Sequence, residues 1–238
     1  MKLPKSTPEQ IRARFDADVE RFSRLETGQQ AAMDSRLMLD LIADAAPMLN
    51  PGARSVLDIG CGAGNYTLRL MDALPVERVT LVDLSANMLE HANQRVLAVR
   101  PIEIDTQQGD VRSIALGEER FDIAVAAAVL HHLRDESEWE DVFRRVFASL
   151  RPGGSFWIAD FVAHEPPALH DAMWRRYGDY LISLGGEAYR DKVFAYVEQE
   201  DTPRPVPFLL HHLEAAGFKQ TEVLHKNGPF ALLVAIKA

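Results

Sequence analysis

The sequence predicts an α/β protein with a Rossmann-like, doubly wound, seven-stranded sheet, mostly parallel with an antiparallel last strand, plus a helical cap. Apolar segments alternate with segments of helical periodicity between residues 55 and 161, which favours a parallel sheet with right-handed crossovers. A glycine-rich turn, residues 60–64, follows the first apolar segment. Near the end, Asn227-Gly228 separates two alternating segments, as in a hairpin.

The composition of the chain indicates the number of domains and argues against several classes of protein. The chain has 238 residues, 47% of them hydrophobic, which suits one domain over residues 1–238. We expect no membrane span and no secretion, because no long apolar run and no apolar leader occur, and we therefore expect a cytoplasmic location. Cys61, the single cysteine, excludes an intramolecular disulfide. The net charge of −9 argues against a broad nucleic-acid-binding face.

The N-terminal segment, residues 1–33, is predicted to form a helical lid. Thr7-Pro8-Glu9-Gln10 has the pattern of a capping box with proline at the first helical position. Apolar residues then recur at helical spacing, namely Ile11, Phe15, Val19 and Phe22. They either pack against the domain or line a ligand site. A second helix is expected over residues 34–49.

The strands and helices of the sheet follow in order. We predict strands at residues 55–59, 78–83, 101–108, 121–127 and 155–161, and a final pair at residues 218–225 and 230–237. Helices are expected from about residue 65, from Ser85 to about residue 99, over residues 136–150 and over residues 208–216. The nearly all-apolar segment 121–127 is typical of a central strand covered on both faces.

Residues 164–205 break the alternation and are predicted to form a cap of two helices, 168–184 and 187–199. The cap holds four of the five tyrosines of the chain. Four aromatic residues are candidates for lining a substrate pocket: Trp174, Tyr177, Tyr180 and Tyr189. Each of them could equally be a packing residue.

Polar residues at successive strand ends predict the ligand site. Asp58, Asp83, Asp110 and Ala127 lie at or just after predicted strands, and ligands of such sheets bind beyond those ends. Asp58 precedes the glycine turn, where its charge would repel a dinucleotide pyrophosphate and attract an ammonium group. Asn65 stands where the dinucleotide fingerprint wants glycine. The pattern favours a cationic ligand over a dinucleotide.

These motifs together resemble the class I S-adenosylmethionine-dependent methyltransferases, in family order over roughly residues 55–161. The matching segments are Val56–Gly64, Leu81–Ser85, Gly109–Val111, Val129–Leu133 and Leu150–Gly154. The resemblance implies S-adenosylmethionine as cofactor and S-adenosylhomocysteine as product. It also implies methyl transfer to an acceptor by in-line displacement.

The resemblance further implies roles for individual residues. Asp58 would lie near the cofactor ammonium, Asp83 would bind the ribose hydroxyls, and Asp110 would bind the adenine amino group. The other implied cofactor-binding residues are Gly60, Cys61, Gly62, Leu84, Met88, Val111, Ala126, Ala127 and Leu130. Cys61 is expected to be a small packing residue rather than a nucleophile.

Few residues in the sequence are candidates for assisting the methyl transfer itself. His131 and His132 follow the fourth strand, and His131 is the candidate general base, although a histidine there often caps or packs the next helix. Asp160 and His164 could form a metal pair, but further ligands are not evident, so we expect no metal. The Asn-Pro-Pro-aromatic motif of amino-methylating nucleic-acid enzymes is absent.

The sequence therefore predicts a methyltransferase acting on a small-molecule acceptor, with the aromatic cap as a candidate homodimer surface. Two alternatives stay open. Residues 15–19, 213–218 and 233–237 resemble the carboxy-S-adenosylmethionine synthases of tRNA wobble-uridine modification, but Ala195 stands where those enzymes are expected to have an arginine, with Arg190 and Arg204 nearby. The other is a protein that binds S-adenosylmethionine without catalysis.

Overall fold

The computed structural model describes residues 5–17 and 30–238, which form one seven-stranded sheet flanked by helices. The predicted lid residues Val19 and Phe22 lie outside this part of the chain. The strands are β1 (Ser55–Ile59), β2 (Arg78–Asp83), β3 (Glu103–Gln108), β4 (Phe121–Ala127), β5 (Leu150–Phe161), β6 (Gln220–Asn227) and β7 (Phe230–Ile236). The described helices are α1 (Pro8–Ala17), α2 (Ser35–Leu49), α3 (Asn65–Ala73), α4 (Ala86–Val99), α5 (Glu136–Ser149), α6 (Pro167–Glu200) and α7 (Val206–Ala216).

The sheet has the order β3-β2-β1-β4-β5-β7-β6. Strands β1 to β5 pair in parallel, whereas β7 is antiparallel to both of its neighbours, β5 and β6. This confirms the predicted mostly parallel sheet with an antiparallel last strand. The order reverses direction at β1, and β4 lies beside it, which is where a doubly wound sheet opens a crevice.

Two helix N-termini and one hairpin turn form where short sequence patterns predict them. The Thr7 N–H donates to Gln10 Oε1 at 2.9 Å and the Gln10 N–H donates to Thr7 Oγ1 at 3.4 Å, which is the predicted capping box. Ser85 caps α4 by accepting the Met88 N–H at 3.1 Å. The β6–β7 hairpin forms as predicted, with Gly228 and the following proline as its two loop residues.

Two hydrophobic clusters cover the two faces of the sheet. One is centred on Val56, Val125 and Trp157 and packs under α2, α3 and α4, and the other is centred on Leu57, Ala124 and Phe156 under α5 and α7. Alternate residues of β1, β4 and β5 therefore belong to opposite layers. Such packing makes the strand ends rigid supports for the groups they carry.

The cap forms as one 34-residue element with a break at Gly185 and Gly186, whose backbone angles are not helical. The break lies between the two helices that the sequence predicts. No helix in the described ranges, α6 included, is long and apolar enough to cross a membrane.

Candidate functional site

A cavity lies at the carboxyl ends of β1, β2, β3 and β4, where the sequence predicts the ligand site. Its lining is Ile11, Ile59, Gly60, Val82, Asp83, Leu84, Gly109, Asp110, Val111, Arg112, Val129, His132 and Leu133. Five of the implied cofactor-binding residues come together here: Gly60, Asp83, Leu84, Asp110 and Val111. The structure thus gathers four separate motifs around one space, with apolar walls and acidic groups.

The glycine turn after β1 brings backbone close to β4. Gly60 has φ +65°, and a Cβ on it would lie 2.5 Å from Val129 Cγ2. The Gly60 N–H donates to Val82 O at 2.8 Å, which ties the turn to β2. Glycine is needed at this position both for its backbone angle and for the approach of Val129.

Asp83 is fixed at the end of β2 by two backbone groups. Its Oδ2 accepts the Gly62 N–H at 2.9 Å, and its Oδ1 accepts the Ser85 N–H at 2.9 Å. Burial raises the pKa of Asp83, while these backbone hydrogen bonds counteract the rise. Because a carboxylate has about four lone-pair sites, each oxygen can still accept a bond from a ligand hydroxyl.

Asp110 is engaged by an arginine that the sequence analysis did not single out. Arg112 donates from Nε to Asp110 Oδ1 at 2.9 Å, pairs with Oδ2 at 2.5 Å, and also contacts Glu138 at 3.0 Å. Burial favours a raised pKa for Asp110, but the Arg112 hydrogen bonds and charge outweigh it and lower the pKa. Arg112 therefore stabilises the ionised carboxylate and occupies part of its hydrogen-bonding capacity.

Asp58 lies beneath the glycine turn and does not line the cavity. It is 2% exposed, and its Oδ2 accepts the Thr67 hydroxyl at 2.6 Å. Burial raises the pKa of Asp58 to about 6, against the lowering effect of the Thr67 bond. The other implied residues that do not line the cavity are Cys61, Gly62, Met88, Ala126, Ala127 and Leu130.

The segment before the sheet covers part of this cavity. Ile11 of α1 contributes to the lining, and the Asp16 carboxylate accepts the Ser85 hydroxyl. Two residues tie this segment to the end of α6: Arg14, in the last turn of α1, pairs with buried Glu200 at 2.7 Å, and Ser6, just before α1, donates to the same carboxylate. These contacts hold α1 where its Ile11 side chain contributes to the cavity wall.

His131 is buried beside two carboxylates at the end of β4. Its Nδ1 contacts Asp160 Oδ1, and its Nε2 lies 3.6 Å from Asp201 Oδ1. Burial disfavours the charged ring, but Asp160 and Asp201 outweigh it and raise the pKa of His131 to about 9. By contrast, burial and the His131 charge hold the pKa of His132 well below its usual range.

The aromatic residues of the cap pack on one another and on the sheet. Tyr177 is 2% exposed, and its ring lies 5.3 Å from Phe230 and 6.2 Å from Phe161. Trp174 stacks on Phe194 at 4.7 Å. Trp174, Tyr180 and Tyr189 are partly buried against the same cluster. None of the four candidates lines the cavity described above.

Asp160 and His164 do not form a pair. Asp160 Oδ2 accepts the Leu130 N–H at 2.8 Å, whereas His164 Nε2 contacts Lys226 Nζ at 2.7 Å. Neither Asp160, as the partner of His131, nor Asp201 was predicted from the sequence. Both lie far from His131 in the chain, so no local pattern could have found them.

The sheet order defines a Rossmann-like fold, and the cavity lies at the edge of the sheet where ligands of such folds bind. Residues 56–154 match the methyltransferase domain family. An uncharacterised methyltransferase of Mycobacterium tuberculosis is 32% identical over 141 residues, 59% of this chain and 65% of that protein. The 27-O-demethylrifamycin SV methyltransferase of Amycolatopsis mediterranei is 30% identical over 182 residues, 70% of this chain and 63% of that protein. The chain thus spans slightly less than two thirds of these relatives.

The CurJ carbon methyltransferase has a similar fold, with a TM-score of 0.66 over 98% of this chain and 61% of that one, at 18% identity. This likeness concerns the fold alone. The family match over residues 56–154 and the methyltransferase relatives confirm the resemblance to the class I S-adenosylmethionine-dependent methyltransferases.

Proposed function

We propose that the protein transfers a methyl group from S-adenosylmethionine to a small-molecule acceptor. The main support for this proposal is that the Gly60 turn, Asp83 and Asp110 all line one apolar cavity. The relative whose name gives 27-O-demethylrifamycin SV as its substrate supports a small organic acceptor. The net charge of −9 supports an acceptor other than nucleic acid.

The residues of the cavity fit the cofactor by their chemistry. Asp83 offers oriented carboxylate oxygens for the two ribose hydroxyls, and Asp110 offers acceptor atoms at the next strand end. Ile11, Leu84 and Val111 provide apolar surface for a planar base. When bound, the cofactor supplies an already activated methyl group on a sulfonium. The protein's own work is to orient the two reactants and to exclude water, which can contribute about 7–11 kcal/mol.

Asp58 is the proposed partner of the cofactor ammonium, directly or through water. A cation near Asp58 would favour its ionised form and offset the cost of burying it. Cys61, Gly62, Met88, Ala126, Ala127 and Leu130 support the site from behind its lining in this proposal. We propose that the cap, residues 164–205, and the N-terminal segment, through its residues 5–17, cover the crevice, and Tyr177 and its neighbours remain the proposed acceptor-side residues.

His131 remains the candidate general base, but its surroundings oppose that role at neutral pH. A general base must accept a proton, and the two carboxylates favour the ring that already carries one. An acceptor that needs no base at Nε2, such as a neutral amine or a hydroxyl activated in another way, fits the site better. Cytoplasmic action and a homodimer through the cap are further parts of the proposal.

The carboxy-S-adenosylmethionine synthase alternative depends on an arginine in the cap. Arg204 donates to Arg134 O at 3.0 Å and lies over the Phe208 ring, and Arg190 pairs with Asp191. Both arginines therefore have protein partners, which weakens this alternative. A protein that binds the cofactor without catalysis is the other alternative.

Mass spectrometry of the ligand that co-purifies with the protein separates these functions. Methyl donor or S-adenosylhomocysteine is expected, whereas a carboxylated derivative would favour the alternative synthase. Isothermal titration with S-adenosylmethionine then tests binding, and failure to bind at millimolar ligand would refute the proposal. Turnover to S-adenosylhomocysteine with a panel of small acceptors separates an enzyme from a binding protein.

A further inference from the structure

Three potential metal ligands converge beside the cofactor cavity. His131 Nε2, His132 Nδ1 and Asp201 Oδ1 all lie within 4.8 Å of one another. Asp201 Oδ1 is 3.4 Å from His132 Nδ1 and 3.6 Å from His131 Nε2. Tetrahedral coordination with bonds of about 2.0–2.1 Å separates two ligand atoms by about 3.3–3.4 Å. The two distances are thus close to those of atoms that share one ion.

Two of these atoms are buried without a hydrogen bond. Although they lie near each other, neither His132 Nδ1 nor Asp201 Oδ1 makes a hydrogen bond within residues 5–17 and 30–238. The Asp201 side chain is 5% exposed, so solvent reaches it little. A buried carboxylate oxygen and a buried imidazole nitrogen without partners are costly, and a shared cation would satisfy both.

The arrangement around His131 is typical of a metal-bound histidine. Its Nδ1 faces Asp160 Oδ1, which leaves Nε2 for the ion and fixes the orientation of the ring. Asp160 is itself held, since its Oδ2 accepts the Leu130 N–H at 2.8 Å and the His131 N–H at 3.3 Å. The Asp160 carboxylate therefore contacts one side of the His131 ring, and the proposed ion lies on the other side, at Nε2.

The backbone holds the ligands from two distant segments together. The Thr202 N–H donates to His131 O at 2.7 Å, which joins the end of the cap to the turn after β4. Arg134 Nη1 donates to Thr202 Oγ1 at 3.1 Å and also contacts Glu200 O. The site is thus built by the fold and does not depend on freely rotating surface side chains.

From this geometry we infer that His131, His132 and Asp201 bind a divalent transition-metal ion. Two imidazole nitrogens and one carboxylate suit Zn²⁺, Fe²⁺, Co²⁺ or Ni²⁺ better than Mg²⁺ or Ca²⁺, which prefer oxygen ligands. Asp160 and Asp201 supply two negative charges against the dication. The prediction of no metal from the sequence concerned only the pair Asp160 and His164.

Three protein ligands leave at least one coordination position open. His132 also lines the cofactor cavity, so the ion and the cofactor would be neighbours. If the proposed function holds, on which this step rests, an acceptor with a hydroxyl or carboxylate oxygen is the chemistry that such an ion would bind. The ion would then position the acceptor without using His131 as a base.

The test uses full-length protein without a polyhistidine tag, stripped of metal with a chelator and titrated with Co²⁺. One equivalent should bind and give the visible absorption of a low-coordinate Co²⁺ centre. Asp201→Asn and His132→Gln, which nearly preserve side-chain size, should each weaken binding at least about tenfold. Lack of saturable binding, or unchanged affinity in both variants, would overturn the inference.

A second cluster provides the matched control. His212 Nε2 is 3.1 Å from Glu136 and its Nδ1 is 4.0 Å from Glu140, but both glutamates are more than half exposed. His212→Gln should therefore bind Co²⁺ as the wild type does. Loss of the Co²⁺ absorption in this variant instead would place the ion at the wrong cluster and contradict the assignment.

X-ray absorption of the zinc-loaded wild type needs no variant and covers the case in which the substitutions prevent folding. Two imidazoles per zinc are expected, and one or none would contradict the site. Calorimetry of S-adenosylmethionine with the metal-free protein is a separate measurement. If the protein binds S-adenosylmethionine but no metal, only the metal inference fails. If it does not bind S-adenosylmethionine, the proposed function fails.

Discussion

Asp83 Oδ2 accepts the Gly62 N–H at 2.9 Å, so the acid that ends β2 is joined to the glycine turn that follows β1. We expect Asp83→Ala to weaken S-adenosylmethionine binding at least tenfold, because hydrogen bonds to a charged group contribute about 1.5–3 kcal/mol. Isothermal titration measures the affinity. Asp105→Ala on β3, which removes a half-exposed acid paired with Arg120, should leave it unchanged. Equal affinity in the two variants would show that Asp83 does not bind the ribose.

The buried carboxylate of Asp58 predicts a pH-dependent stability. Its pKa is about 6 in the fold against 3.8 for an unperturbed aspartate, so protonation stabilises the folded state. This contribution is fully present below pH 3.8 and is lost as the pH rises through 6. Asp58→Asn should therefore increase the free energy of unfolding at pH 7.5 by roughly 1–3 kcal/mol, and less at pH 5.

Urea unfolding of the ligand-free protein at the two pH values tests this expectation. Asp44→Asn, an exposed position on α2, serves as the control and should show no such dependence. The stabilised Asp58→Asn variant should also bind S-adenosylmethionine more weakly, since it lacks the proposed partner of the ammonium. A stability difference that is the same at both pH values would contradict the raised pKa.

Because Val129 lies so close to Gly60, adding one methyl group at residue 60 should destabilise the fold strongly. Gly60→Ala places a Cβ 2.5 Å from Val129 Cγ2 at a φ of +65°. We expect a loss of roughly 2–4 kcal/mol in the free energy of unfolding, from the backbone angle and the displaced side chain together. Gly153→Ala has a similar φ of +77° with nothing within 4 Å of the added Cβ. It should lose only about 1 kcal/mol, and equal losses would exclude a role for Val129.

The buried carboxylate of Glu200 predicts a link between the cap and the covering helix. Glu200→Gln removes the charge opposite Arg14 and should destabilise by about 1–2 kcal/mol, because Arg14 keeps partial access to water. Amide hydrogen exchange should accelerate in α1. Glu198→Gln, at an exposed position two residues earlier, is the control. Unchanged exchange in both variants would mean that Glu200 does not hold α1.

The fold and the cofactor side of the site are predictable because their signals are local. The apolar segment of β4, the Ser85 cap and the acid at the end of β2 each depend on a few adjacent residues, and the topology rules then place the strand ends together. The Asp110–Arg112 pair spans only two residues and could have been found in the same way.

The part of the site where the methyl acceptor is proposed to bind could not be predicted from local sequence patterns. His131, Asp160 and Asp201 are separated by 29 and 41 residues and meet only because the cap returns to the turn after β4. Tyr177 shows a second limit, since an aromatic residue at helical spacing has the same pattern whether it packs in a core or lines a pocket.

The position of β7 between β5 and β6 has a consequence for synthesis of the protein. Until residues 230–236 leave the ribosome, β5 presents an unpaired edge that includes Phe156, Trp157 and Ile158, and β6 lacks the strand with which it pairs in the sheet. Exposed apolar strand edges favour aggregation. Nascent chains that stop short of β7 should therefore depend on chaperones, and completion of the sheet should come only after translation of that strand.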